Sequence, residues 1–255
     1  MGKVIADLAA SAASATFNVE NAASSVDYVL SKTDGAAGEY LKTDGSGALS
    51  FGAIASAGFN SVIVYTGSTT WVKSARPAGI TKVIVEVQGA GGGGGYSGAS
   101  DYAVAGSGGG YARKFIDVSS VTQAVISVGL PGTAAGTSSI AGGDGGDSSW
   151  NDTASGGSST VTGVKGVGIY GNFSRSAGGT ATGGDINIPG GSGDNCSANS
   201  SMLAGSSFLG TPGLNGRTGE SAIQASFGYG AGGPAGYSVT SLAGMPGVVI
   251  VWEYK

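Results

Sequence analysis

The sequence predicts a mainly β protein. A small antiparallel β unit clamps a bundle of left-handed polyglycine-II helices, an N-terminal β/coil stem precedes it, and there is very little α-helix. Three observations carry this. Apolar and polar residues alternate with period two in runs across 61–129 and again at 248–254, the pattern of half-buried strands. Glycines between those stretches recur at every third position, the period of a left-handed polyproline-II helix with about 3.1 Å rise per residue. No stretch sustains the 3.6-residue period of an amphipathic helix.

In chain order, residues 1–56 form an Ala/Ser-rich stem or attachment segment. It holds a ten-residue repeat, Lys32-Thr-Asp-Gly35 and Lys42-Thr-Asp-Gly45. Each Asp-Gly follows a strand-like run, Tyr28-Val-Leu-Ser31 and Glu39-Tyr-Leu-Lys42, and Asp-Gly favours the turns that reverse β-ribbons. So few apolar residues cannot make an independent core, which predicts a thin β stem stabilised by copies of itself. Residues 57–255 form the glycine-rich domain. Its strands are Ser61–Tyr65, Thr70–Lys73, Thr81–Gln88, Tyr111–Val118, Ala124–Val128 and Val248–Tyr254. Alternation puts Val83, Val85 and Val87 on one face, and Val249, Val251 and Glu253 on one face of the last strand.

The glycine bundle is expected over about 130–247. From Gly89 to Gly247 about three residues in ten are Gly or Pro, a disorder-like composition. The strong strand after the glycines places them inside a folded unit instead. Gly210, Gly213, Gly216 and Gly219 keep the threefold period through four successive glycines, and Gly230, Gly233 and Gly236 echo it. One side of such a helix is bare backbone, so neighbouring helices approach closely and must pair their N–H and C=O groups between them.

The 255 residues include 52 glycines, 11 % charged residues, one cysteine and no histidine. Lacking His, the chain has no imidazole base and no Ser-His or Cys-His nucleophile pair. Cys196 alone makes neither an intrachain disulfide nor a thiolate zinc cage. A net charge of −4 argues against nucleic acid as a partner. No segment has the ~20 apolar residues that span a bilayer, and Asp7 interrupts any signal-peptide core. Gly89–Gly94 satisfies G-x-G-x-x-G after a strand, but no helical pattern follows to aim at a pyrophosphate. Gly142-Gly-Asp-Gly-Gly-Asp147-Ser-Ser-Trp150 resembles one calcium-binding nonapeptide, yet such repeats bind only when stacked. A tight turn leading to a packed Trp150 is the expectation. The sequons at Asn151, Asn172, Asn195 and Asn199 are read as coincidental. No catalytic residue, metal or cofactor is expected, and the protein is read as no enzyme.

Side chains reappear in inserts between glycine blocks: Tyr96–Val104, Val167–Ser176, Asp194–Leu209 and Ile223–Tyr229. Tyr, Ser, Asn and Gly are the composition of recognition loops, and they equally suit capping of the bundle ends. Candidate receptor-binding residues are Tyr170, Asn172 and Phe173 in one insert, and Asn195, Asn199, Met202, Leu203 and Phe208 in another. An aromatic beside amides suits a surface glycan; the apolar trio of Met202, Leu203 and Phe208 suits an outer-membrane protein loop.

Several ordered landmarks resemble the glycine-rich domain of bacteriophage tail fibres and tail-fibre tip adhesins. They are Trp71 with Arg76-Pro-Ala-Gly79, Thr81–Gly95, Gly108-Gly-Gly-Tyr-Ala-Arg-Lys114, Ile126-Ser-Val-Gly-Leu-Pro-Gly132, Gly142–Trp150 and Gly247–Tyr254. Thr43-Asp-Gly-Ser-Gly-Ala-Leu-Ser-Phe51 resembles the repeats of fibre stems. The resemblance implies a homotrimeric virion protein, made in the host cytoplasm, that mediates host-surface recognition through loops between glycine helices. Its expected partners are copies of itself, other tail proteins through the N-terminal segment, and a host glycan or outer-membrane protein. The alternative is a purely structural tail connector or decoration without receptor binding.

Overall fold

The structure is a computed structural model that describes residues 15–21, 24–30, 36–37, 39–43, 49–53, 58–98, 102–135, 141–169, 175–197, 202–216 and 224–255. The chain divides into two compact units, Met1–Ala57 and Gly58–Lys255. In the first, β1 (Ala15–Asn21) pairs antiparallel with β2 (Ser24–Leu30), and β3 (Glu39–Thr43) with β4 (Leu49–Ala53). Every residue of β3 is exposed, Tyr40 and Leu41 included. The Asp34-Gly35 and Asp44-Gly45 turns lie outside the described residues.

The second unit holds, in chain order, β5 (Phe59–Tyr65), β6 (Thr69–Val72), β7 (Lys82–Gln88), β8 (Tyr96–Ser97), β9 (Ala103–Val104), β10 (Tyr111–Asp117) and β11 (Gln123–Ser127). There follow β12 (Ser148–Asn151), β13 (Thr160–Gly163), β14 (Ala181–Thr182), β15 (Ile186–Ile188), β16 (Asn195–Cys196), β17 (Gly210–Thr211), β18 (Phe227–Gly228), β19 (Gly236–Tyr237) and β20 (Val248–Tyr254). Among the described residues the helical structure is one 3₁₀ turn, Lys73–Ala75. The protein is mainly β, with two antiparallel sheets of five strands, ordered β15-β10-β7-β20-β5 and β14-β13-β12-β11-β6.

The two sheets share one core. Val83, Val85 and Val87 of β7 and Val249 and Val251 of β20 are fully buried against Trp71, Ala124, Ile126, Trp150 and Val161 of the second sheet. The Trp71 and Trp150 rings meet at 5.4 Å between centroids. Glu253 shares the inward face of β20 and is fully buried. Its carboxylate accepts Trp71 Nε1–H at 2.8 Å, Arg76 Nε–H at 2.8 Å and Ser61 Oγ–H at 2.6 Å. Such partners are what a buried charge needs to be tolerated.

The sheets take strands from inside the expected glycine range, since β12, β13, β14 and β15 all fall within 130–247. Conversely, Gly89–Gly95 and Ala105–Gly110 lie at the heart of the glycine backbone network although they belong to the expected framework. They run antiparallel side by side: Gly89, Gly92 and Gly95 donate N–H to the carbonyls of Gly110, Ser107 and Val104 at 2.8–3.0 Å. The partner rotates with period three. Ala90 and Gly93 donate to Gly146 and Gly143, and Gly91 and Gly94 to Met245 and Leu242. In return the carbonyls of Ala90, Gly91, Gly92, Gly94 and Gly95 accept from Gly166, Gly132, Gly233, Ala135 and Gly236.

Residues 105–110 repeat the scheme. Ala105 and Gly108 donate to Asp194 and Gly191, Gly106 and Gly109 to Gly233 and Gly230, and Ser107 and Gly110 to Val167 and Val164. Backbones this close leave no room for side chains: a Cβ on Gly93 would stand 1.9 Å from Thr133 O, and one on Gly94 1.9 Å from Pro234 O.

Where a segment reaches the margin of the network, side chains replace the missing backbone partner. Ser107 Oγ accepts Val167 N–H, and Asn215 Oδ1 accepts Ala235 N–H. Ser226 Oγ accepts Gly213 N–H and donates to Gly232 O. Among the described residues no buried side-chain N or O atom lacks a hydrogen-bond partner.

Candidate functional site: an aromatic cleft beside the glycine segments

Two inserts converge on one short hairpin. β17 and β18 pair antiparallel, Gly210 opposite Gly228 and Thr211 opposite Phe227. Gly228 and Gly230 have φ of +82° and +76°, a conformation open to glycine at low cost, so the chain turns sharply on both sides of Tyr229. The other strand is anchored from beneath. Leu209 N–H donates to Gln88 Oε1 at 3.4 Å, while Gln88 Nε2 donates to Gly109 O at 2.8 Å and Gly110 O at 3.1 Å. Ser207 Oγ–H donates to Tyr229 O, and Tyr229 N–H to Leu209 O.

This hairpin frames an open cleft of about 500 Å³ lined by Ser207, Phe208, Leu209, Gly210, Thr211, Phe227 and Gly228. Two phenyl rings dominate it, Phe208 at 56 % and Phe227 at 63 % exposure. Phe208 is held from behind by Tyr111, with ring centroids 4.2 Å apart. Tyr111 is itself buried, and burial together with a hydrogen bond to Glu86 pushes its hydroxyl well above the ordinary tyrosine range. It is therefore a neutral wall and no proton acceptor. The lining has no charged side chain, and its polar side chains are the hydroxyls of Ser207 and Thr211. Its chemistry is stacking and apolar contact, with hydroxyls at the rim.

Of the residues singled out in the sequence, Phe208 lines this cleft. Tyr170, Asn172, Phe173 and Asn199 lie outside the described residues. Asn195 is half-buried in β16 opposite Val104, where it continues a ladder. Met202 O accepts Asn215 N–H, and Leu203 bridges Leu214, so both exposed side chains stand on a separate ladder. Phe227 was not singled out. Its signal was the aromatic-glycine alternation of Ser226-Phe-Gly-Tyr-Gly230, inside an insert already marked as loop-like.

Two acidic features are accounted for locally. In the calcium-like motif Asp144 Oδ1 accepts Gly168 N–H and Asp147 Oδ1 accepts Lys165 N–H, three residues apart along one segment, and Trp150 is packed in the core. In a polar hollow between β10 and the 152–159 loop, Asp152 accepts Trp150 Nε1–H and Ser159 N–H. Ser119 bonds to Asp117 and holds that carboxyl below its usual range. No group of three or more metal-binding side chains occurs among the described residues. Neither a protein-family model nor a curated protein matches the chain.

Proposed function

We propose that the chain is a phage tail-fibre protein of the virion, non-enzymatic, that recognises the host surface through the Phe208–Phe227 cleft. Its glycine segments are read as a bundle of left-handed polyglycine-II helices, and the protein is made in the host cytoplasm and assembles as a homotrimer. Residues 1–56 serve as the stem that docks on other tail proteins. Support for the helices comes from N–H partners that rotate with period three along 89–95 and 105–110, with no positive φ in either stretch. Support for a stem built from several copies comes from β3, a strand exposed along its whole length. A lone two-stranded hairpin is marginal in water.

The observation that carries the recognition reading is two phenyl rings, each more than half exposed, lining one cleft, with Phe208 stacked on the buried Tyr111. Exposed aromatics on a rigid support lose little entropy on contact. Faces of this kind suit the C–H side of a sugar ring or an apolar side chain of an outer-membrane protein loop. The test is Phe208→Ala with Phe227→Ala, read by adsorption of virions to cells of their growth host. Adsorption is expected to fall at least tenfold with virion yield and melting temperature close to wild type. Unchanged adsorption overturns the recognition role and leaves the structural alternative, a connector or decoration of the tail.

A further inference from the structure

The hollow between β10 and the 152–159 loop has a volume of about 300 Å³, the lower end of the range for small-ligand sites. β10 and the turn after it contribute Phe115, Asp117 and Ser120, and the loop contributes Asp152, Ser158 and Ser159. Hydrogen bonds cross from one wall to the other. Ser120 Oγ–H donates to Gly156 O at 3.2 Å, and Thr122 N–H to Ser155 O at 3.1 Å. The hollow is therefore part of the folded framework.

Its polar groups have capacity to spare. Asp152 is buried, with Oδ1 accepting Ser159 N–H and Oδ2 accepting Trp150 Nε1–H. A carboxylate oxygen accepts two hydrogen bonds, so each keeps one lone pair for a ligand. A Cβ at Gly157 would stand 2.2 Å from Oδ1 and 2.8 Å from Oδ2, so any larger residue there would cover this carboxylate. Asp117 is exposed, and Ser119 first, then the charges of Lys82 and Lys73, hold its carboxyl below the usual range. Lys73 is itself fixed by the carbonyls of Val118 and Ser119. Two carboxylates are thus offset by two ammonium groups, a balance that favours neither an anion nor a cation. The Phe115 ring, 51 % exposed, supplies the apolar element.

We propose that this hollow binds one sugar unit of a neutral saccharide, with Phe115 against its C–H face and Asp152, Asp117 and the serine hydroxyls on its hydroxyl groups. A saccharide offers what this lining asks for: O–H donors for carboxylates that donate nothing, C–H groups for the ring, and no charge. A wholly apolar ligand would strip water from the carboxylates and return no hydrogen bond. An anion would meet Asp117. A metal ion would find no group of three or more ligating side chains among the described residues. The site is separate from the Phe208–Phe227 cleft and stands without it. Tyr111, which backs Phe208, and Asp117 are the two ends of β10, about 20 Å apart along an extended strand.

The experiment is amide NMR on the full chain, titrated in turn with D-glucose, D-galactose, D-mannose and N-acetyl-D-glucosamine, with glycerol as the control polyol. At least one sugar is expected to shift the amides of 115–120 and 152–159 saturably, and glycerol is expected not to. Phe115→Ala removes an exposed ring and is expected to weaken that binding by about tenfold, the equivalent of about 1.4 kcal/mol. Asp117→Asn keeps an acceptor for Ser119 N–H but turns the other carboxylate oxygen into a donor, and is expected to weaken binding as well. Phe208→Ala with Phe227→Ala is expected to leave the shifts in place, so that failure of the cleft and failure of the hollow are read separately. The proposal is overturned by four sugars without a saturable shift, by shifts that glycerol reproduces, or by binding unchanged in a folded Phe115→Ala. Should Phe115→Ala unfold, Asp117→Asn decides in its place, and unchanged binding there overturns the proposal.

Discussion

A methyl group on Gly93 would stand 1.9 Å from Thr133 O and 3.0 Å from Gly132 O. Both obstacles are backbone carbonyls that accept N–H groups in turn, Thr133 O from Gly143 and Gly132 O from Gly244, so neither yields without breaking its own hydrogen bond. Gly67, by contrast, has nothing within 4 Å of the same position and a negative φ. Gly93→Ala is therefore expected to destabilise by about 3 kcal/mol or more, the range of a forced backbone shift in a packed interior. Gly67→Ala is expected to stay within about 0.5 kcal/mol of wild type. Urea midpoints for the two variants check this, and equal midpoints would refute the account of why the network is glycine. The same scale explains the landmark residues. Trp71 and Arg76 lie far from Glu253 in sequence but both donate to its buried carboxylate, so these landmarks belong to the core.

Each glycine segment at the margin lacks backbone on one side, and what fills that side decides its stability. Ser226 is buried, and its hydroxyl serves Gly213 N–H and Gly232 O together. Ser226→Ala leaves both without that partner and is expected to cost about 2 kcal/mol. Asp147 is exposed, and water can replace its carboxylate on Lys165 N–H, so Asp147→Ala is expected to cost less than about 1 kcal/mol. Thermal or urea denaturation separates the two, and a larger loss at Asp147 contradicts this ordering.

The element scale also marks how far the sequence could be read. β7, β10, β11 and β20 were legible because five to seven alternating residues leave little choice of face. β12 and β13 were not: Ser-Ser-Trp-Asn and Thr-Val-Thr-Gly are short and polar, with a single large buried side chain each. The threefold glycine period says that residues three apart face one neighbour, but not which of many similar segments that neighbour is. The site followed the same rule. Loop composition marked 194–209 and 223–229, yet could not tell that Asn195 would join a ladder while Phe208 and Phe227 would line one cleft.

Across the whole molecule the charge inventory sets the response to pH. With no histidine, no side chain with an ordinary pKa between about 5 and 8 is present to titrate, and the melting temperature is expected to be level from pH 5.5 to 8.5. The alkaline side differs. Burial raises the hydroxyls of Tyr65 and Tyr111 above the usual tyrosine value, the latter strongly and with help from Glu86. Above about pH 10 the unfolded chain releases these protons while the folded protein still holds them. Folding then costs the uptake of protons that become scarcer as pH rises. Their contribution to stability is thus complete below the unfolded pKa near 10 and is lost progressively above it. Melting curves from pH 9 to 11.5 are expected to fall in that window, and Tyr111→Phe to fall less steeply because it has no proton to lose. An identical slope in Tyr111→Phe removes that tyrosine as a cause.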